Sequence, residues 1–89
     1  MARSPGVTMG IMPSYGSQKI GLEVDGISKE DGPAAKAGME KGDVIKSING
    51  KPIKDIYEYM DRLSDLKGGM GVPVSIERDG EKMILEVSF

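Results

Sequence analysis

GPAAKAGMEKGDVIKSING, residues 32–50, contains a complete helix–turn–strand unit. Pro33 suits the first turn of a helix, because the N–H that proline lacks has no helical partner there. The alanines that follow are strong helix formers, and Gly38 suits the left-handed residue that ends a helix. Residues 44–48 have the composition of a strand, and Asn49-Gly50 is typical of a tight reversal. The stretch therefore predicts a short helix, a strand and a hairpin turn.

The composition limits what the chain can do. Its 89 residues predict one domain, and a net charge of −2 with acids and bases interspersed provides no field for nucleic acid or an anionic membrane. No apolar run approaches the roughly 20 residues that span a bilayer, so we expect no membrane insertion. The chain has neither cysteine nor histidine, which removes the usual zinc ligands and histidine-assisted nucleophiles. We therefore expect no metal, no cofactor and no catalytic residues.

The remaining segments alternate between strand and helix patterns. Residues 1–6 lack the apolar segment of a signal peptide, and we expect a leader or cloning remnant there, followed by one domain over residues 7–89. Alternating apolar positions predict strands over 7–13, 20–27, 72–78 and 82–89, with a brief extended piece at 51–53 and a two-residue hairpin turn at Asp79-Gly80. The sum is a small α+β domain, a partly open β-barrel or sandwich of about five strands capped by one short and one longer helix.

The longer helix is predicted over residues 55–66. Asp55 and Glu58 have the spacing of a capping box at its start. Its apolar positions recur at helical spacing and form one stripe, which consists of Ile56, Tyr59, Met60, Leu63 and Leu66. Lys67-Gly68-Gly69 predicts its end. A stripe of this kind is usually part of the core, so the pattern alone does not distinguish packing from ligand binding.

The string GPAAKAGMEKGDVIKSINGKPI, residues 32–53, resembles the central signature of bacterial PDZ domains, the kind attached to extracytoplasmic proteases. The resemblance extends over residues 7–89, and the order of elements is similar to the circularly permuted bacterial form. It implies that the final strand closes the sheet and that the strand at 7–13 lies beside the helix at 55–66. It also implies that an extended peptide adds to the sheet as one more strand and presents its C-terminal carboxylate to a loop of backbone amides.

The resemblance implies particular binding residues. The carboxylate loop of the family has an apolar–glycine–apolar core, which here is Met9-Gly10-Ile11. Residues 11–13 would form the pairing edge, although Pro13 has no N–H to donate, and the helix stripe would form the other wall, with Tyr59 and Leu66 packed inward. The predicted peptide-binding residues are Thr8, Met9, Gly10, Ile11, Met12, Ile56, Met60 and Leu63. The alternative for the loop is a plain strand whose glycine eases packing. Arg3 is the only cation upstream of it that could complement a carboxylate.

The first position of the predicted helix bears on selectivity. PDZ domains that prefer Ser or Thr two residues before the C-terminus carry histidine there, whereas this chain has Ile56. A buried ligand hydroxyl would have no partner at that position, at a cost of about 1–3 kcal/mol. We therefore expect apolar residues at this ligand position and at the terminal one. Met9, Met12 and Met60 are flexible and would form adaptable groove surfaces, so we expect loose selectivity among apolar residues, with micromolar affinity of about −8 kcal/mol.

The leading functional hypothesis is a non-catalytic peptide-binding module of a bacterial extracytoplasmic protease, periplasmic or otherwise outside the cytoplasm. Its partners would be an apolar peptide or protein C-terminus and the catalytic domain of the parent protease. DIYEYMDRLSDLK, residues 55–67, favours a zinc aminopeptidase as that parent. Two alternatives stay open: the PDZ domain of a trypsin-like serine protease, and a structural interdomain or oligomerisation module that binds no free peptide.

Overall fold

The fold consists of a six-stranded antiparallel sheet and two helices. A computed structural model describes residues 7–15 and 19–89. The strands are β1 (Ile11–Pro13), β2 (Leu22–Ile27), β3 (Val44–Ile48), β4 (Lys51–Pro52), β5 (Gly71–Arg78) and β6 (Glu81–Ser88), and the helices are α1 (Pro33–Ala37) and α2 (Ile56–Ser64). The strand order is β1-β2-β3-β5-β6, and β4 pairs with β3 beside this path. The predicted α+β fold is confirmed as an open sheet, with β4 as one strand more than the five or so expected.

The helix–turn–strand unit forms as its residues predict. Pro33 occupies the first turn of α1, and Gly38 ends the helix at φ 92°. The N–H groups of Gly38 and Met39 donate to Ala35 O and Ala34 O at 3.1 and 3.0 Å, which satisfies carbonyls at the helix end. Asn49 and Gly50 have φ of 52° and 79°, as a type I′ turn requires. The turn returns the chain as β4 against β3.

The long hairpin forms one end of the sheet. β5 and β6 pair from Gly71↔Ser88 to Arg78↔Glu81, and Asp79 and Gly80 join them with φ of 52° and 81°. These values confirm the predicted two-residue turn. Residues 72, 74, 76 and 87 on the inner face are buried. Because β6 is last in the strand order, it is an edge of the sheet.

α2 begins as predicted and ends early. Glu58 N–H donates to Asp55 Oδ1 at 2.9 Å, as in a capping box. The return bond differs from that motif: Glu58 Oε1 accepts from the N–H of Lys54 at 3.0 Å, one residue before the N-cap Asp55. The helix stops at Ser64 rather than at residue 66. The last turn tightens, since Leu66 N–H bonds to Leu63 O at 3.1 Å, and this keeps Leu66 buried beyond the helix end.

β1 is much shorter than the predicted strand at 7–13. Gly10 has φ 81°, a left-handed value that interrupts extended backbone, so regular pairing starts only at Ile11. The register against β2 also shifts between Met12 and Pro13. β1 lies at the opposite edge of the sheet from β6. The predicted leader at 1–6, with Arg3, lies outside the described residues.

An ion pair that the sequence patterns did not predict joins the loop between α1 and β3 to the end of β5. Asp43 is 1% exposed, and its oxygens Oδ1 and Oδ2 accept from Arg78 Nε and Nη2, each at 2.8 Å. Glu40 N–H donates to Oδ2 at 2.9 Å, and Arg78 Nη2 also donates to Gly38 O at 2.9 Å. Burial by itself raises the pKa of Asp43, but the bonds from Arg78 and Glu40 N–H outweigh it, and the pKa lies below its usual value. The pair fixes the end of α1 against the sheet.

Candidate functional site

A groove runs between the edge strand β1 and helix α2. Its cavity volume is about 190 Å³, and its lining is mostly apolar: Val7, Thr8, Ile11, Pro13, Tyr15, Ile56, Tyr59, Met60 and Leu63. One wall comes from the sheet edge and its preceding loop, and the other comes from the apolar stripe of the helix. The groove therefore combines unpaired backbone on one side with apolar side chains on the other.

The β1 wall has unpaired backbone groups. Ser28 N–H donates to Gly10 O at 2.9 Å, and Ile11 lies opposite Ile27 in the next position of the ladder. Hydrogen bonding alternates along an antiparallel strand, so the N–H and C=O of Ile11 point away from β2, toward the groove. Pro13 follows on the same side with a carbonyl and no N–H. This short edge can pair with a few residues of an extended chain.

Gly10 shapes the end of the groove that precedes β1. Its N–H lies 3.4 Å from Thr8 Oγ1, a long contact, while its carbonyl accepts from Ser28 and Lys29 N–H at 2.9 and 3.3 Å. A Cβ at Gly10 would lie 3.2 Å from Lys29 Cβ. The left-handed backbone and the tight fit both favour glycine here. The Gly10 carbonyl is thereby held against the loop after β2, while the contact to Thr8 Oγ1 is the only hydrogen bond of Gly10 N–H that the described residues show.

The α2 wall has a buried floor and an exposed rim. Tyr59 and Leu63 are buried, Ile56 is half-buried, and Met60 is 53% exposed. Burial raises the pKa of the Tyr59 phenol, because the charged phenolate would be poorly solvated there. The floor of the groove therefore carries no charge at ordinary pH. Met60 is the side chain of this wall with the most area left for a ligand to cover.

The structure brings most of the predicted site residues together. Thr8, Ile11, Ile56, Met60 and Leu63 all line the groove. Gly10 adjoins it through the backbone between Thr8 and Ile11.

Two predicted residues do not present their side chains to the groove. Met9 is fully buried in the core, and its carbonyl accepts from Ala34 N–H at 3.0 Å. Met12 is exposed, and its Cε lies against Gly26 of β2. Adjacent residues of a strand point to opposite faces, so Met12 cannot share the side of Ile11. The expectation that Met9 and Met12 provide adaptable groove surface is therefore wrong, and Met60 alone of the three has that position.

The structure adds groove residues that were not predicted as ligand-binding. Val7 and Tyr15 extend the β1 wall at its two ends, and Tyr59, expected to pack inward, is buried and also lines the groove. Strand periodicity could have identified Tyr15 as a groove residue, because it predicts that residues 11, 13 and 15 share a face. No sequence pattern could have placed Lys29 beside Gly10, because only the fold brings the loop after β2 next to the loop before β1.

The described part of the chain contains no cluster of three or more His, Cys, Asp or Glu side chains arranged to hold a metal. Within residues 7–15 and 19–89, no helix is long and apolar enough to cross a bilayer.

Comparison with known families identifies the architecture. The family model described as PDZ domain matches residues 8–89. The chain is 37% identical over 72 residues to the serine endoprotease DegS of Escherichia coli K12, which covers 81% of this chain and 20% of the relative. It is 42% identical over 60 residues to a probable periplasmic serine endoprotease, DegP-like, of Pseudomonas putida, covering 67% of this chain and 12% of the relative. The chain thus spans a fifth or less of these relatives.

Solved structures share the fold. The HtrA-type protease AlgW, solved with a decapeptide, superposes with a TM-score of 0.81 at 24% identity, covering 92% of this chain and 28% of that one. An aminopeptidase N family protein from Idiomarina loihiensis superposes with a TM-score of 0.80 at 25% identity, covering 94% of this chain and 14% of that one. The PDZ domain of HtrA3, solved with the phage-derived ligand FGRWV, superposes with a TM-score of 0.76 at 17% identity, covering 92% of this chain and 83% of that one.

Proposed function

The chain belongs to the PDZ domain family, and from this membership we propose that it binds the C-terminal ends of peptides by strand addition along β1. PDZ domains are non-catalytic modules. The observation that carries the proposal is the groove between β1 and α2, which presents the backbone of Ile11 opposite the exposed side chain of Met60. A peptide strand placed there would bond to the sheet edge and bury its side chains against the helix.

The terminal carboxylate would bind at the loop before β1. Gly10 N–H has only a 3.4 Å contact to Thr8 Oγ1, which a charged acceptor can displace at little cost. Lys29 N–H also donates to Gly10 O, and the Cβ of Lys29 lies beside Gly10, so this lysine begins next to the proposed carboxylate site. We propose that it complements the ligand carboxylate, a role for which the sequence offered only Arg3. An amidated peptide would lose this interaction while keeping every other contact.

The groove favours apolar ligand side chains. Its floor is formed by Tyr59 and Leu63, both buried, and Ile56 occupies the first turn of α2. The aliphatic side chain of Ile56 forms no hydrogen bond with a ligand hydroxyl at the first turn, so Ser or Thr two residues before the terminus would lose its water there without replacement. We propose apolar residues at that position and at the terminus, with affinity in the micromolar range.

We propose that the parent protein is a bacterial HtrA-type serine protease acting outside the cytoplasm. The curated relatives, DegS and the DegP-like protein, are serine endoproteases, and the second is named as periplasmic. We therefore replace the expectation of a zinc aminopeptidase parent with the serine protease alternative. Only residues 55–67 had favoured the aminopeptidase. In such a parent the domain would lie against, or communicate with, the catalytic domain.

A calorimetric titration of this domain tests the proposal. The probe is FGRWV, the phage-derived ligand of the HtrA3 domain, as the free acid and as the C-terminal amide, with variants carrying Leu or Ser in place of Arg. We expect micromolar binding of the free acid, at least about tenfold weaker binding of the amide, and a preference for Leu over Ser. If none of the three peptides binds, either as the free acid or as the amide, the result would contradict the proposal and would favour a structural module.

A further inference from the structure

The second sheet edge, β6, has no neighbouring strand on its outer side among the described residues, and its charge pattern is complementary to that of a second, antiparallel copy of the same strand. Glu81, Lys82, Ile84, Glu86 and Ser88 are exposed, and Ile84 is the most exposed apolar residue of the strand, at 73%. β6 is paired with β5 along its whole length and with no other strand of the described chain. An edge of this length with an exposed apolar centre is a template for pairing with another strand.

The backbone groups that are free on this edge can be identified. Arg78 and Glu81 flank the two-residue turn, and such a pair exchanges both hydrogen bonds. Because bonding alternates along the ladder, Met83 and Leu85 also bond to β5. The N–H and C=O groups of Lys82, Ile84 and Glu86 therefore point away from the sheet, as three consecutive bonding positions.

We infer that β6 pairs edge to edge with β6 of a second copy of this chain, antiparallel, with Ile84 opposite the partner's Ile84. In this register Lys82 lies opposite the partner's Glu86, and Glu86 lies opposite the partner's Lys82. The free backbone groups of 82, 84 and 86 face one another as bonding pairs.

The other face of the strand fits the same register. Met83 lies opposite the partner's Leu85, so two half-buried apolar side chains from each copy meet there. Helix α1 packs against β6 as well, but apart from the exposed Lys36 it carries only proline and alanine side chains, which add little bulk beside the strand.

Other registers are less favourable. Sliding the copies by one bonding position in either direction places Ile84 opposite Lys82 or Glu86 of the partner. Sliding them by two places Lys82 opposite the partner's Lys82, or Glu86 opposite the partner's Glu86. Like charges directly opposite destabilise a strand pair, whereas opposite charges stabilise it. The charge pattern therefore selects one arrangement, and it selects a second copy of this chain as the occupant.

The contact is small. A ribbon of two eight-residue strands buries less area than the roughly 1,200–2,000 Å² of stable complexes, so the dimer is weak and forms at high protein concentration. In a multidomain parent, other contacts would raise the local concentration of this domain and favour the pairing.

Sedimentation velocity from micromolar to millimolar concentration tests the inference on this 89-residue chain. We expect reversible dimerisation that weakens as salt is added, with slower amide hydrogen exchange at Lys82, Ile84 and Glu86 in the dimer. Lys82→Glu or Glu86→Lys alone puts like charges opposite each other at two places and should weaken the dimer about tenfold. The double variant Lys82→Glu/Glu86→Lys exchanges the charges and should restore it.

Ile84→Pro provides a test of the backbone pairing. The N–H that proline removes points away from β5, so the ladder within the domain keeps its bonds while the dimer loses two. We expect a folded monomer by circular dichroism. If this variant does not fold, the three charge variants decide the question. A wild-type chain that stays monomeric at millimolar concentration, single charge variants that dimerise like the wild type, or a double variant that stays monomeric would each overturn the inference.

Discussion

Met60→Ala separates the contribution of the α2 wall to ligand binding from its contribution to folding. Met60 is 53% exposed, so the folded domain gains only about half of the free energy that burying this side chain can provide. Complete burial of a methionine is worth about 1.5–3 kcal/mol. A peptide that covers the exposed half would therefore gain about 0.8–1.6 kcal/mol from Met60. Removing the side chain should weaken peptide binding about four- to fifteenfold.

Titration calorimetry with the free-acid FGRWV peptide measures this loss, and thermal unfolding of the same samples measures stability. Ile20→Ala is the matched control, because Ile20 is 72% exposed and does not line the groove. We expect full affinity for this control. Leu63→Ala, by contrast, would cost about 2–5 kcal/mol of folding free energy because Leu63 is buried, and its binding loss would be harder to interpret. Equal affinity for Met60→Ala and wild type would refute the assignment of α2 as a groove wall.

Three further predictions concern the loop, the selectivity and the ion pair. Gly10→Ala should lower stability by about 1 kcal/mol in chemical denaturation, because of its φ of 81°, and should weaken binding of the free-acid peptide more than that of the amide. Ile56→His supplies a hydrogen-bond partner at the first turn of α2, so the ratio of affinities for the Leu and Ser peptides should fall, and an unchanged ratio would contradict the selectivity argument. The pKa of Asp43 is lowered in the folded state, so the stability it contributes is complete above about pH 4 and is lost as the pH falls through the folded-state value. Urea unfolding should therefore show a flatter acid limb for Asp43→Asn than for the wild type, and identical limbs would contradict the role of the pair.

The local elements could be predicted because their signals are local. Gly38 and the two turns at 49–50 and 79–80 place glycine, asparagine or aspartate where positive φ is needed, and the structure has those values. The Asp55–Glu58 spacing likewise placed the start of α2 correctly. In each case a few adjacent residues determine the backbone, and tertiary packing agrees with them.

What could not be predicted depends on contacts between distant segments. The Asp43–Arg78 pair joins residues 35 positions apart, and neither charge differs in sequence from a solvated one. The flexible side chains of Met9 and Met12 were expected to form part of the groove surface, yet the turn at Gly10 places the Met9 side chain in the core and the alternation of β1 places the Met12 side chain on the other face. The early end of β1 follows from a single backbone angle at Gly10, which a run of apolar residues does not reveal.

The most direct test of strand addition is amide hydrogen exchange by NMR, with and without the free-acid FGRWV peptide. We expect the Ile11 amide, which has no partner in β2, to become protected when peptide binds, and the Gly10 amide resonance to shift with the free acid but not with the C-terminal amide. The Met12 amide, already bonded within the sheet, serves as the internal reference. Protection that spares Ile11 while peptide saturates the domain would contradict strand addition along β1.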